Sequence, residues 1–183
     1  MDDQLEFIKL IASRLDSVGI DYMMTGSMAM AIYSIPRMTR DIDLVVELEP
    51  VDVDKIVNLF SEDCYIDHES VRQAVDTRSM FNIIHNDWVI KADFIIKKNE
   101  EYRREEFSRR QKIVVDETTI FVVSVEDLIL SKVVWGKESQ SDLQLEDVRQ
   151  MVSTVSELDW DYMGKWAISL GIEQLLKKVK DNE

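Results

Sequence analysis

The chain has 183 residues, 45% hydrophobic and 32% charged, with a formal net charge of −14 at neutral pH. That length suits one domain, or a domain with a small appendage, and it supplies enough apolar surface for a real core. The balance excludes a disordered chain, and the acidic charge argues against broad DNA binding, which needs basic surface.

No apolar run approaches the roughly 20 residues of a membrane span, so no membrane association is expected. The start, Met1-Asp2-Asp3-Gln4, lacks the basic-then-apolar layout of a secretion signal. A single cysteine, Cys64, excludes an intrachain disulfide and suits a reducing compartment, so a cytoplasmic protein is expected. With His68 and His85 as the two histidines, a zinc site is not expected.

Leu5, Ile8, Ile11, Ala12, Leu15 and Val18 recur at helical spacing, and Gly19 is a natural stop. Residues 20–24 read as a short apolar strand that Gly26-Ser27 breaks. Met28-Ala29-Met30-Ala31-Ile32 then favours a helix whose first N–H groups suit anionic oxygens. Pro36 is expected to end it. Residues 41–47 read as a strand, with Asp41 and Asp43 on one face and Ile42 turned into the core. Two neighbouring carboxylates repel, and a hard divalent cation would relieve that repulsion. After a break at Glu49-Pro50, residues 51–60 form an amphipathic helix with Val53, Ile56, Val57 and Phe60 inward.

Cys64-Tyr65-Ile66 reads as a short strand and 69–75 as a helical turn or two. Residues 80–85 and 88–96 flank the Asn86-Asp87 turn as an antiparallel hairpin. Asp93 lies inside the second of these strands. A carboxylate there is costly unless it is paired, hydrogen-bonded or on a metal, which makes Asp93 the candidate third ligand. An ion pair with Lys91, on the same face, is the plain alternative. Ile113-Val114-Val115 and 119–123 make a last hairpin. Ser124 then caps a helix with Asp127 as its capping-box partner.

Lys132 lies among that helix's apolar residues, placed either to snorkel to solvent or to reach a phosphate. Residues 137–141 read as a loop, followed by helices over 142–155, 161–168 and 172–179. Asp142, Glu146 and Asp147 read as a solvated helix face, His85 as a structural histidine, and Trp135 either as a core or interface side chain or as a border of a nucleotide pocket. Between Lys97 and Lys112, five arginines and lysines more alternate with Glu100, Glu101, Glu105 and Glu106. This is either a solvated, salt-bridged face or a rim that draws in a polyanion.

The Gly26-Ser27 turn, a helix, Asp41-x-Asp43 and a later strand aspartate form a specific combination. Residues 28–40 separate the turn from the acidic pair. In these motifs the sequence resembles the DNA polymerase β-type nucleotidyltransferase superfamily. The run Arg37-x-Thr39-x-Asp41-x-Asp43 looks like the small members, including the toxin-like AbiEii group. The resemblance implies an α+β fold: a nucleotidyltransferase-like mixed sheet with flanking helices, as a catalytic core over 1–123, and a helical C-terminal segment over 124–183. It further implies two Mg²⁺ ions, with Mn²⁺ as a substitute, held by Asp41, Asp43 and Asp93, the last also activating the acceptor hydroxyl. Gly26, Ser27 and Lys132 would bind the nucleotide, while Arg37 and Arg40, beside the acidic pair in sequence, are candidates either for ion pairs with the aspartates or for nucleotide phosphate contacts. The expected reaction moves a nucleoside monophosphate from an NTP to a hydroxyl of a protein, an RNA end or a small molecule. The alternatives are a weakly catalytic or non-catalytic member of a toxin–antitoxin pair, with a cognate protein partner, and, more distantly, an Asp-x-Asp nucleotide-sugar glycosyltransferase.

Overall fold

A computed structural model describes residues 2–35, 39, 41–139 and 141–181. The first half of the chain contributes α1 (Asp2–Ser17), β1 (Tyr22–Thr25), α2 (Gly26–Tyr33), β2 (Ile42–Val46), α3 (Val53–Phe60), β3 (Cys64–Tyr65), α4 (His68–Thr77), β4 (Met80–His85) and β5 (Lys91–Ile96). The second half contributes α5 (Glu101–Ser108), β6 (Gln111–Val115), β7 (Thr118–Val122), α6 (Val125–Ser139), α7 (Asp142–Thr154), α8 (Trp160–Ser169) and α9 (Glu173–Lys180). The strands form one sheet in the order β3-β4-β5-β2-β1-β7-β6. It is mixed: β2 runs parallel to β5 and β1 to β7, and the remaining neighbours are antiparallel. This is the expected α+β class with helices at the C-terminus. Among the described residues no helix is long and apolar enough to cross a membrane.

The period-two pattern of the central strands sorts their side chains onto two different faces. Ile42, Leu44 and Val46 of β2 lie beside Ala92, Phe94 and Ile96 of β5, all fully buried. Phe94 meets Phe60 of α3 edge-on at 5.8 Å and stacks on Phe81 of β4 at 5.1 Å. Each such buried side chain contributes about 1.5–3 kcal/mol, so this face anchors the sheet. On α1, Phe7 packs edge-on against His85, whose Nδ1 accepts from the backbone N–H groups of Asp87 and Trp88 at 3.3 Å. His85 is thus structural. Cys64 is buried, and burial pushes its thiol up to about 12, far from a nucleophile's range. The opposite face carries Asp43, Val45, Asp93 and Ile95.

Three expectations change in the folded chain. The charged segment 101–108, expected as a solvated, salt-bridged face or a rim, is a helix with Tyr102, Glu106 and Phe107 buried beneath its exposed charges. The expected loop at 137–141 is helical through Ser139, because α6 packs closely on α7: a Cβ at Gly136 would lie 3.2 Å from Leu145 Cδ2. Asp147 is not solvated: it is buried, and its Oδ2 accepts from Lys132 Nζ at 2.7 Å. Ser124 caps α6 as expected: the Asp127 N–H donates to Ser124 Oγ at 3.2 Å, and the Ser124 hydroxyl donates to Asp127 Oδ2 at 2.6 Å. Asp127 also has a role that periodicity hides. Fully buried, it accepts from Tyr162 of α8 at 2.6 Å and from Arg109 Nε at 3.1 Å, tying the C-terminal helices to the sheet.

Candidate functional site

Register brings the chemistry together. Parallel pairing of β2 with β5 sets Asp43 directly beside Asp93, and antiparallel pairing of β1 with β2 sets Thr25 beside Asp43. The chain leaves β1 through Gly26 straight into α2, so the N-terminus of that helix abuts the carboxylate pair. Gly26 has φ +66°, and a Cβ there would lie 2.1 Å from Asp43 Oδ2. Only glycine allows both the left-handed turn and this approach. Ser27, the next residue, is buried.

The carboxylates carry the electrostatic cost of this placement. Asp43 titrates at about 6, raised first by burial and then by the charges of Asp93 and Asp41; Lys132 and Lys91 pull it back. Asp93 is buried, with its Oδ2 2.7 Å from Lys91 Nζ, whereas its Oδ1 is buried with no hydrogen-bond partner. A buried carboxylate oxygen in that state is costly unless a cation or proton donor arrives. Asp41 lies just before β2 with its side chain 57% exposed, and Lys91 Nζ reaches it at 3.6 Å.

The expected convergence of Asp41, Asp43 and Asp93 is therefore not ready-made. Among the described residues no three His, Cys, Asp or Glu side chains form a cluster that could hold a metal ion. The Lys91 ammonium, and not a third carboxylate, bridges Asp41 and Asp93. The donor set still fits a hard divalent cation. Magnesium is commonly held by one or two carboxylates together with substrate phosphates, and Asp43 and Asp93 supply such a pair.

The remaining predicted residues separate. Arg37 and Arg40, like Pro36, lie outside the described residues. Lys132 neither snorkels nor meets solvent. It is 1% exposed and donates to Asp147 Oδ2 and to Gln144 Oε1 at 3.1 Å, close enough to Asp43 to influence its titration. Beyond the acidic pair, the same sheet face opens into a small cleft of about 100 Å³ under α5 and α6. Thr25, Val45, Ile95 and Trp135 line it, with Lys97, Lys98, Arg103 and Glu106 around them. Glu106, which the sequence places on a charged, solvated stretch, is 4% exposed. Its Oε1 accepts from Ser131 while Oε2 pairs with Arg103 at 2.8 Å. Its i, i+4 spacing from Tyr102, with Phe107 adjacent, is the available signal for a buried helix face.

Replacing Gly26 with alanine is expected to cost more than replacing Gly19. Both have positive φ, but nothing lies within 4 Å of a Cβ at Gly19. Gly19→Ala should therefore cost only the backbone strain, about 1 kcal/mol. Gly26→Ala adds a clash that must push Asp43 aside, so it should also weaken Mn²⁺ binding. Thermal melts and Mn²⁺ titrations of the two variants check this, and equal behaviour of the pair would refute the close approach.

No family model matches the sequence, and no curated protein does either. Solved structures do. An antigenic nucleotidyltransferase-like protein from Paracoccidioides brasiliensis aligns with a TM-score of 0.61 at 14% identity, covering 97% of this chain and 91% of that one. The antibiotic-resistance factor ANT(2'')-Ia aligns at 0.59 and 12% identity over 100% of both chains. The lincomycin-bound lincosamide antibiotic adenylyltransferase LnuA aligns at 0.55 and 10% identity, over 85% of this chain and 98% of that one. At these identities the likeness is one of fold: the chain has the fold of nucleotidyltransferase-like proteins.

Proposed function

We propose that this chain, built on the nucleotidyltransferase fold, moves a nucleoside monophosphate from an NTP to a hydroxyl acceptor and releases pyrophosphate. The carrying observation is the side-by-side pair Asp43–Asp93, with one buried oxygen unpartnered, facing the N-terminus of α2 at Gly26. Several structural neighbours are themselves nucleotidyltransferases, among them the lincosamide adenylyltransferase.

The chain's groups divide the work. The first backbone N–H groups of α2 donate to phosphate oxygens, aided by the helix dipole, and Gly26 lets the phosphates approach. Asp43 and Asp93 hold the cation, which when bound neutralises phosphate charge and favours in-line displacement. Asp93 Oδ1 accepts the acceptor's hydroxyl proton as the new O–P bond forms and the bond to pyrophosphate breaks. Lys132 and Asp147 hold α6 and α7 together behind Asp43 and set its local potential. Arg37 and Arg40 are assigned to the triphosphate on their charge and their place in the sequence beside Asp41 and Asp43. The cleft under α5 and α6 receives the acceptor, with Trp135 as its aromatic wall.

The test is direct. Purified protein is incubated with each α-³²P-labelled NTP, Mg²⁺ or Mn²⁺, and hydroxyl-bearing acceptors drawn from small molecules, RNA and protein. Transfer should require the metal and fall at least tenfold in Trp135→Ala through a raised KM for the acceptor. Labelling that persists unchanged in Asp93→Asn would overturn the assignment.

A further inference from the structure

The Lys91 side chain bridges two of the candidate carboxylates. Lys91 precedes Asp93 by two residues on β5, so its side chain rises from the same face of the sheet. Its Nζ is 2.7 Å from Asp93 Oδ2 and 3.6 Å from Asp41 Oδ1. The two ends of this contact differ in freedom. The Asp93 side chain is 9% exposed and held by the sheet, whereas that of Lys91 is 39% exposed and ends in a flexible four-carbon stem. The carboxylate cannot leave, but the ammonium can.

We infer that Lys91 is a positioning residue and a displaceable counter-cation: it neutralises Asp93 and Asp41 in the resting protein and yields its place when a divalent ion binds. The inference rests on the proposed metal-binding role of Asp43 and Asp93. A buried carboxylate needs a counter-charge at all times, because removing one partner of a buried pair strands the other. An ammonium and a divalent ion cannot both occupy the short space beside Asp93. The resident ammonium therefore opposes the bare metal and holds the carboxylate oriented until a cation of higher charge replaces it. A permanent structural salt bridge predicts instead that the Lys91 ammonium stays on Asp93, and stays equally protected, when a divalent ion binds.

The experiment compares the wild type with Lys91→Met in the absence of nucleotide. Free Mn²⁺ is followed by electron paramagnetic resonance. Lys91→Met should bind Mn²⁺ roughly three- to tenfold more tightly than the wild type, a gain that damage to the fold cannot produce. Removing a positive charge raises cation affinity even without displacement, so displacement is read separately. In the wild type, acetylation of Lys91 by an exposed-amine reagent, quantified by peptide mass spectrometry, should rise severalfold when Mn²⁺ is added. Lys91→Gln provides the same affinity readout if the methionine variant does not fold. Affinity that is unchanged or weaker in the variant, or Lys91 reactivity indifferent to Mn²⁺, overturns the inference while leaving the metal site standing. Asp93→Asn separates the two ideas: if it binds Mn²⁺ as the wild type does, the carboxylate site itself is wrong, and the role of Lys91 falls with it.

Discussion

Asparagine in place of Asp43 is expected to abolish nucleotidyl transfer and at the same time to make the metal-free protein more stable at neutral pH. The loss of transfer follows from removing a charged ligand that faces the phosphates, and it should be about 10³-fold or greater. The gain in stability follows from the raised titration of Asp43, from an ordinary 3.8 to about 6. The folded state binds that proton more tightly than the unfolded chain does. Folding is therefore favoured by Asp43 below about pH 4, and the advantage is lost as pH rises to about 6. Above that the ionised group costs on the order of 2 kcal/mol, allowing for its partial exposure. The neutral amide of Asp43→Asn carries no such cost. Urea unfolding in EDTA between pH 4 and 8 should show the variant's advantage growing up to about pH 6 and level thereafter. A variant less stable than the wild type at pH 7 would mean that Asp43 is a structural carboxylate rather than a strained functional one.

The second large effect lies behind the site. Lys132→Met is expected to destabilise the fold by about 3–5 kcal/mol, because it takes the ammonium from the buried Asp147 carboxylate. For a chain of this size that corresponds to a fall in Tm of roughly 10 °C. Adding Asp147→Leu should restore most of the loss, since a buried ion pair replaced as a unit by apolar side chains is often neutral. Transfer activity should not return with stability in the double variant, because the charge that lowers the titration of Asp43 is still absent. Equal melting of the single variant and the wild type would show that the pair contributes nothing, and recovery of activity in the double variant would remove Lys132 from the site's electrostatics.

Much of the fold is written in local pattern. The helical spacing before Gly19, the apolar alternation of β2, the hairpin around Asn86-Asp87 and the cap at Ser124 each depend on neighbours within a few residues. The Gly26-Ser27 turn and Asp41-x-Asp43 are visible for the same reason. What could not be read is pairing between distant charges. Lys132 and Asp147 lie 15 positions apart on different helices, and each alone looks like a surface residue. The segment 101–108 misleads through its composition, since Glu106 is buried only because Ser131 and Arg103 close around it. The expected loop at 137–141 fails in the same way: polar residues suggest a break, but packing of α6 on α7 carries the helix through Ser139.

The sequence alone determined most of the strands and helices and which turn must be glycine, because those choices are made by side-chain periodicity and by backbone sterics at single residues. Only the tertiary structure decided that Asp93 stands beside Asp43 while Lys91 occupies the space between Asp93 and Asp41, and that Lys132 turns to Asp147. Strand register and helix packing set those distances, and the low dielectric of the interior then makes each unpaired charge expensive enough to fix its partner.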